Sequence, residues 1–240
     1  MSAPLLSIII PAYNEENRLP SALDEISRFL ASQPYSAEIV IVENGSRDRT
    51  LQIGQEYAER LPNLRVFHEE QRGKGLAVRR GMLEARGEYR FICDVDLSMP
   101  IAEVNRFLPP LAGDADILIG SREAPGAVRY NEPAYRHLVG RLFNTVVRVI
   151  ALPGLQDTQC GFKCFRASVA EDLFPRQTIA GWTFDVEILF IARRRGYRIA
   201  EIPIPWYYNP ESKVNVLRDL KQVGRDLWTI GRNARAGRYN

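Results

Sequence analysis

Histidine and cysteine are scarce in this chain: two of the first, His68 and His137, and three of the second, Cys93, Cys160 and Cys164. Three thiols cannot all pair with one another, and a chain of 240 residues buries enough apolar surface to fold without staples. Cys160 and Cys164 have no histidine near them in the sequence, so buried free thiols are expected rather than a zinc site. No stretch approaches the roughly 18 consecutive apolar residues of a spanning helix, and the N-terminus lacks the basic segment and apolar core of a secretory signal. The expected location is the cytoplasm. Internal repeats and low-complexity linkers are also missing. The formal net charge of +3 is too small to propose nucleic acid as a partner. That charge is unevenly placed: Lys213, Arg218, Lys221, Arg225, Arg232, Arg235 and Arg238 face only Asp219 and Asp226 near the C-terminus, which leaves the remainder slightly acidic.

What is present is an alternation. Leu5 to Pro11, Ala37 to Glu43, Leu64 to His68, Tyr89 to Asp94 and Ala115 to Gly120 are β-rich runs. Between them, Glu16 to Ala31, Thr50 to Leu61, Gly75 to Ala85 and Ile101 to Leu111 carry apolar residues at helical spacing. Strand and helix in turn predict an α/β fold with a mostly parallel sheet covered by helices. After Ser121 the rhythm changes: Arg122 to Pro133 reads as a long polar loop, mobile over a site, followed by a helix from Ala134 to Ala151. Phe184 to Arg195 is predicted helical, and Arg198 to Trp206 a short strand interrupted by prolines. The expected organisation is one catalytic unit over residues 1–212 with a basic amphipathic helix over 213–240.

The acidic pair Asp94-Val95-Asp96 falls where the fourth strand ends, at the sheet edge where open α/β proteins bind their ligands. Hard divalent cations favour carboxylate oxygens, and Mg²⁺ or Mn²⁺ bound this way completes its shell with substrate phosphates. A solvated turn is the other reading of such a pair. Two further polar segments, Pro11-Ala12-Tyr13-Asn14-Glu15 and Glu43-Asn44-Gly45-Ser46, end strands at the same edge. A carboxylate there suits a ribose or base, and the glycine permits the turn.

Taken with Gly73-Lys74-Gly75 and Asp94-Val95-Asp96, these segments resemble the family 2 inverting glycosyltransferases of GT-A fold. Gly120-Ser121-Arg122, Arg136, Gly140-Arg141, Asn144, the run Asp157-Thr158-Gln159-Cys160-Gly161-Phe162-Lys163, and Gly181-Trp182-Thr183-Phe184-Asp185-Val186-Glu187 are similar to the polyprenyl-phosphate hexose synthases. Within that branch, Asp94-Val95-Asp96-Leu97-Ser98 resembles the dolichyl-phosphate β-glucosyltransferases more than the mannose synthases. Three features depart from the pattern. Glu43-Asn44 stands where the family usually has two aspartates, Ser98 where the mannose synthases have Gln, and the last residues hold no membrane helix of the kind some relatives carry.

The resemblance implies transfer of a hexose from a nucleotide sugar, UDP-glucose ahead of GDP-mannose, to a polyprenyl or dolichyl phosphate with inversion. It implies Asp96 as principal metal ligand, with Asp94 and Ser98 beside it, for Mg²⁺ or Mn²⁺. Pro11, Tyr13, Glu15, Glu43, Lys74, Asp94, Asp185 and Glu187 would then meet the donor, although Lys74 also fits a simple turn and the last two acids also fit a helix start. Arg122 and Arg136, with Arg141 next, would hold the acceptor phosphate through planar guanidinium forks. Asp96, Arg122 and Arg136 are the residues expected to carry catalysis.

Leu217, Leu220, Val223, Leu227 and Ile230, with Trp228 beside them, make the last helix amphipathic. It fits peripheral contact with the cytoplasmic face of a membrane, packing on the catalytic unit, or a second subunit. Two rival functions use the same residues: transfer to a soluble or glycan acceptor, and nucleotide-sugar binding without turnover.

Overall fold

The computed structural model describes residues 3–209 and 216–240, without the side chains of 135, 136, 138, 139, 142, 143, 146 and 216–220. Strands β1 (Leu6–Ala12), β2 (Ala37–Glu43), β3 (Leu64–His68) and β4 (Tyr89–Ile92) alternate with helices α1 (Leu19–Ala31), α2 (Thr50–Arg60) and α3 (Lys74–Glu84). β1 pairs in parallel with both β2 and β4, and β2 with β3. The chain therefore builds outward from β1 to β3 and returns to β1's other side for β4, which makes the β1/β4 boundary the topological switch point.

Ile8 and Ile10 join one core while Ile9 joins the other, because successive side chains of a strand point to opposite faces. A sheet covered on both faces explains why β1 and β2 are nearly continuous apolar runs. On α1's side Phe91 is met edge-on by Phe162 at 4.8 Å and Phe107 at 5.2 Å. The expected helix after Met99 is a 3₁₀ segment, Ile101–Phe107, bounded by Pro100 and by Pro109-Pro110, which cannot supply amide hydrogens to continue it.

The second half completes the sheet in an order the sequence does not announce. β5 (Ile117–Ser121) is followed by β6 (Val128–Tyr130), α4 (Ala134–Ile150), β7 (Lys163–Arg166), α5 (Ala167–Leu173), α6 (Phe184–Arg194), β8 (Ile199–Pro203), β9 (Pro205–Tyr207) and α7 (Val216–Arg235). β7 enters between β4 and β5, antiparallel to both, in the sheet order β3-β2-β1-β4-β7-β5-β8. The expected mobile loop from Arg122 to Pro133 contains β6, tied in parallel register to β9. No helix among the described residues is long and apolar enough to cross a membrane. On α7, Ile230 and Ala234 are buried in the second core with Tyr239 and Leu227 is partly buried, so this end packs against the main sheet-and-helix body, while Trp228 stays 63% exposed. The side chains of Leu217 and Leu220 lie outside the described residues.

Candidate active site

The acidic pair sits just past β4, where Cys93 N–H still reaches the Ile9 carbonyl and the chain then turns. Leu97 adopts a left-handed conformation, φ 42°, unusual for a branched side chain, and its N–H returns to the Asp94 carbonyl at 3.3 Å. Asp96 Oδ1 accepts the Ser98 N–H at 3.0 Å, and Tyr207 N–H of β9 donates to the Ser98 carbonyl at 2.7 Å. The turn is thus anchored from within and from the small ribbon.

Lys74 Nζ meets Asp94 Oδ1 at 2.6 Å and lies 4.9 Å above the Trp182 ring. Both glycines flanking Lys74 are required by close approach. A Cβ at Gly73 would fall 2.4 Å from the Ala180 carbonyl oxygen, and one at Gly75 2.5 Å from that of Ile179. Gly75 N–H donates to the same Ala180 oxygen, so the 177–182 segment is pressed against the start of α3. On the far side of Asp94, a Cβ at Gly161 would lie 2.2 Å from Oδ2.

Charges alternate through this cluster. Lys163, 1% exposed, meets Asp185 at 2.7 Å. Burial pushes the Asp185 carboxyl up and Lys163 and Lys74 pull against it. Burial and the neighbouring Asp94 together raise Asp96, opposed by the Ser98 N–H and Lys74. For Lys74, burial works against the charge, but Asp94, Asp185 and Asp96 outweigh it and hold its ammonium above the usual lysine range. Among the described residues no three His, Cys, Asp or Glu converge into a closed metal cage. Two carboxylates with a nearby serine hydroxyl fit a hard cation that keeps positions for water and a diphosphate, and do not fit a thiolate- or imidazole-loving metal.

The loops after β1 and β2 close against each other. Asn14, also left-handed at φ 52°, takes Ser46 Oγ on its N–H and accepts the Arg47 N–H, while Glu15 N–H donates to Thr50 Oγ1. Glu15's carboxylate is engaged by Arg18 at 2.6 and 2.7 Å. Pro11 lies half-buried in β1 opposite Val42, and Arg72 covers the Tyr13 ring at 4.3 Å. Glu43 does not project into a groove: it is 1% exposed, with one oxygen on the Ser46 N–H and the other 2.6 Å from His68 Nδ1. Asn44 has an equally local task, since its side chain bonds the Gln71 carbonyl and the Gly73 N–H and fixes the loop that delivers Lys74. The Glu-Asn pair therefore ties β2 to the β3–α3 loop.

Arg122 is spent on a partner the sequence did not assign. Its Nε and Nη2 form a fork with Asp157 at 2.7 and 2.9 Å, and Asp157 also accepts the Arg122 N–H. The Trp206 ring is approached by the guanidinium groups of both Arg122, at 5.5 Å, and Arg129, at 5.6 Å. Arg129 is in turn paired with Glu123 and Glu132. The loop after β5 is thus pinned at its base rather than loose. Arg141 is exposed on α4. Arg136 is on the same helix, but its side chain lies outside the described residues.

Glu187 is fully buried, and its oxygens accept from Thr178 N–H and Oγ1, the Ile179 N–H and Tyr239 Oη, so both oxygens are engaged within the fold. Asp185, by contrast, is within electrostatic reach of Lys74 and Asp94. Lys163, Trp182, Asp157 and His68 are structurally prominent residues that the sequence reading did not single out. The first three lie inside motifs already noticed, which was their only signal.

An acidic turn thus stands at the switch point of an open α/β sheet, the edge at which such folds bind their ligands. The Glycosyl transferase family 2 model matches residues 7–174. The chain is 35% identical over 239 residues to the dolichyl-phosphate beta-glucosyltransferase of Dictyostelium discoideum, covering 94% of this chain and 73% of that one. It is 35% identical over 240 residues to that of Drosophila melanogaster and 32% over 240 residues to that of Homo sapiens, in each case covering 94% of this chain and 74% of the relative. In fold it is similar to glucosyl-3-phosphoglycerate synthase of Mycobacterium tuberculosis in complex with UDP, with a TM-score of 0.68 at 20% identity, covering 95% of this chain and 80% of that one. This chain belongs to the family 2 glycosyl transferases.

Proposed function

We propose that this enzyme transfers glucose from UDP-glucose to the phosphate of a dolichyl-type polyprenyl phosphate, with inversion at the anomeric carbon. The observation that carries this reading is the 35% identity, over 94% of the chain, to an enzyme named for that reaction. The acceptor chemistry is compatible with the site. A phosphate monoester carries about −1.5 to −2 charges near neutral pH, so its oxygen attacks without prior deprotonation and no general base is required. The task left to the protein is to bring two anions together and to stabilise the charge that develops on the departing diphosphate.

Lys74 supplies one fixed cation for that diphosphate, oriented by Asp94 and backed by Trp182. Asp94 and Asp96, with Ser98 next to them, would hold Mg²⁺ or Mn²⁺. The ion, when bound, supplies further positive charge at the leaving group. Asp185, held by Lys163, is oriented toward the same cluster and would receive hydroxyls of the donor sugar. Arg122 would meet the acceptor phosphate as part of a rigid, internally neutralised pair with Asp157, with Arg136 and Arg141 of α4 as the further cations of that site. The protein is peripheral on the cytoplasmic face of a membrane, with the exposed side of α7, which carries Trp228, Lys221 and Arg225, turned to the lipid.

The test is transfer of radiolabelled sugar into organic-extractable product, with UDP-glucose and GDP-mannose compared as donors. Dolichyl phosphate, dolichol and a water-soluble phosphate monoester are compared as acceptors. Transfer from UDP-glucose to dolichyl phosphate alone is expected. Equal transfer to the soluble monoester overturns the lipid acceptor, and preference for GDP-mannose overturns the donor.

A further inference from the structure

Glu187 is a fully buried carboxylate that the reaction does not use directly, and what it holds is informative. It accepts the Thr178 N–H at 2.9 Å, the Ile179 N–H at 2.8 Å and the Tyr239 hydroxyl at 2.6 Å. Asn233 of α7 donates to Thr178 Oγ1 at 3.0 Å and to the Tyr239 hydroxyl at 3.3 Å. Tyr239 itself is 0% exposed, packed edge-on against Phe190 of α6. The carboxyl end of α7 and the residues after it are therefore bonded to the 177–182 segment both through Glu187 and directly, from Asn233 to Thr178.

That segment is the one pressed on the two glycines beside Lys74. Ala180 O accepts the Gly75 N–H at 2.8 Å, and Gln177 Nε2 donates to the Gly75 carbonyl at 2.8 Å and to the Ile179 carbonyl at 2.9 Å. The same segment delivers Trp182 over the Lys74 ammonium. A continuous run of short contacts thus leads from Tyr239 through Glu187 and Ile179 to Gly75, Lys74 and Asp94. At its Lys74 end the run is tightly packed, since a Cβ at Gly73 or Gly75 would collide with the backbone of Ala180 or Ile179.

We infer that Glu187 and Tyr239 are positioning residues for the donor diphosphate, acting through the 177–182 segment to fix Lys74. A fully buried acid with this many donors also fits a simple staple of the fold. The two roles differ in one respect: a staple stabilises the protein wherever it sits, whereas a positioning network loses its effect on ligand binding once Lys74 is gone. This inference rests on the nucleoside-diphosphate reading of the Lys74 site and is independent of what the acceptor is.

The experiment is a double-mutant cycle read by calorimetric titration of UDP with Mg²⁺, with thermal unfolding measured in parallel on every variant. Tyr239→Phe keeps the packing and deletes the hydroxyl with its bonds to Glu187 and Asn233; Glu187→Gln is the second probe, and Lys74→Ala the partner substitution. Tyr239→Phe alone is expected to weaken UDP about fivefold, the effect of roughly one hydrogen bond, and to change UDP affinity less than about twofold in the Lys74→Ala background. The same fivefold loss with and without Lys74, or unchanged UDP affinity in both Tyr239→Phe and Glu187→Gln, overturns the inference. UDP binding needs no acceptor, so failure of lipid transfer leaves this measurement decisive.

Discussion

Gly161 lies against Asp94 so closely that a Cβ built on it would stand 2.2 Å from Oδ2. Asp94 is thereby wedged between the Gly161 backbone and the Lys74 ammonium, with its carboxylate orientation set from both sides. Gly161→Ala would push the carboxylate away rather than the backbone, because the far end of a side chain yields more easily. Expected are a folded protein destabilised by no more than about 2 kcal/mol and a loss of both Mg²⁺-dependent UDP binding and transfer. Calorimetry and thermal unfolding on the one variant check both halves, and wild-type UDP affinity would show that Asp94 is not held by this wedge.

Asp96→Asn removes one of two neighbouring carboxylates while keeping an oxygen for the Ser98 N–H. Burial and Asp94 already disfavour the Asp96 charge, so its loss should leave the unfolding free energy within about 1 kcal/mol of wild type. Transfer should fall by about a hundredfold or more, as for loss of a group that stabilises developing charge. Dialysis against chelator should silence the wild type and either Mg²⁺ or Mn²⁺ restore it. Full turnover in chelator would remove the metal from the reaction.

Glu43 makes a different prediction from the one its position at the end of β2 first suggested. Since the side chain is buried on Ser46 and His68, Glu43→Ala would strand the Ser46 N–H and open a void, costing about 2–3 kcal/mol of stability. UDP binding should weaken as the 44–48 loop loses its anchor, while the apparent affinity for the acceptor holds. Denaturant unfolding paired with UDP titration tests this. A variant as stable as wild type that still loses UDP would mean that Glu43 contacts the donor itself.

The contrast between β4 and β7 shows what the sequence made legible. Tyr89–Ile92 with Cys93 is a short β-rich run that leads directly into the acidic turn, so both strand and site are local patterns. Lys163–Arg166 begins and ends with a charge, yet β7 lies mid-sheet, because Asp185 satisfies Lys163 from another element. Similarly, the acids at strand ends were visible as residue types, but their partners were not. Arg122 finds Asp157 at a sequence separation of 35 and Tyr239 finds Glu187 at 52, distances at which periodicity carries no information. The amphipathic period of α7 was legible, and which surface it covers was not, since an apolar stripe has the same spacing whether it meets protein or lipid.

The Arg122–Asp157 pair yields a prediction that separates its structural from its functional share. Burial alone would raise Asp157, but the charge and hydrogen bonds of Arg122 more than reverse this and hold its carboxyl at about 2. An acid whose folded value lies below its unfolded one, 3.8, stabilises the fold fully above that unfolded value and loses the contribution as pH falls through 4 toward 2. The wild type should therefore lose about 2 kcal/mol over that window from this group, and Asp157→Asn should lose correspondingly less. Arg122→Ala would leave a fully buried carboxylate without its cation and cost about 3–5 kcal/mol, so it tests folding more than function. Arg122→Lys keeps the charge but not the two-pronged geometry, and is the informative variant. If Arg122 orients the acceptor phosphate, Arg122→Lys should bind UDP as the wild type does and transfer glucose to dolichyl phosphate at least about tenfold more slowly. Normal transfer at neutral pH, together with the predicted acid-window change in unfolding free energy, would confine Arg122 to holding the loop after β5 and leave acceptor recognition to α4.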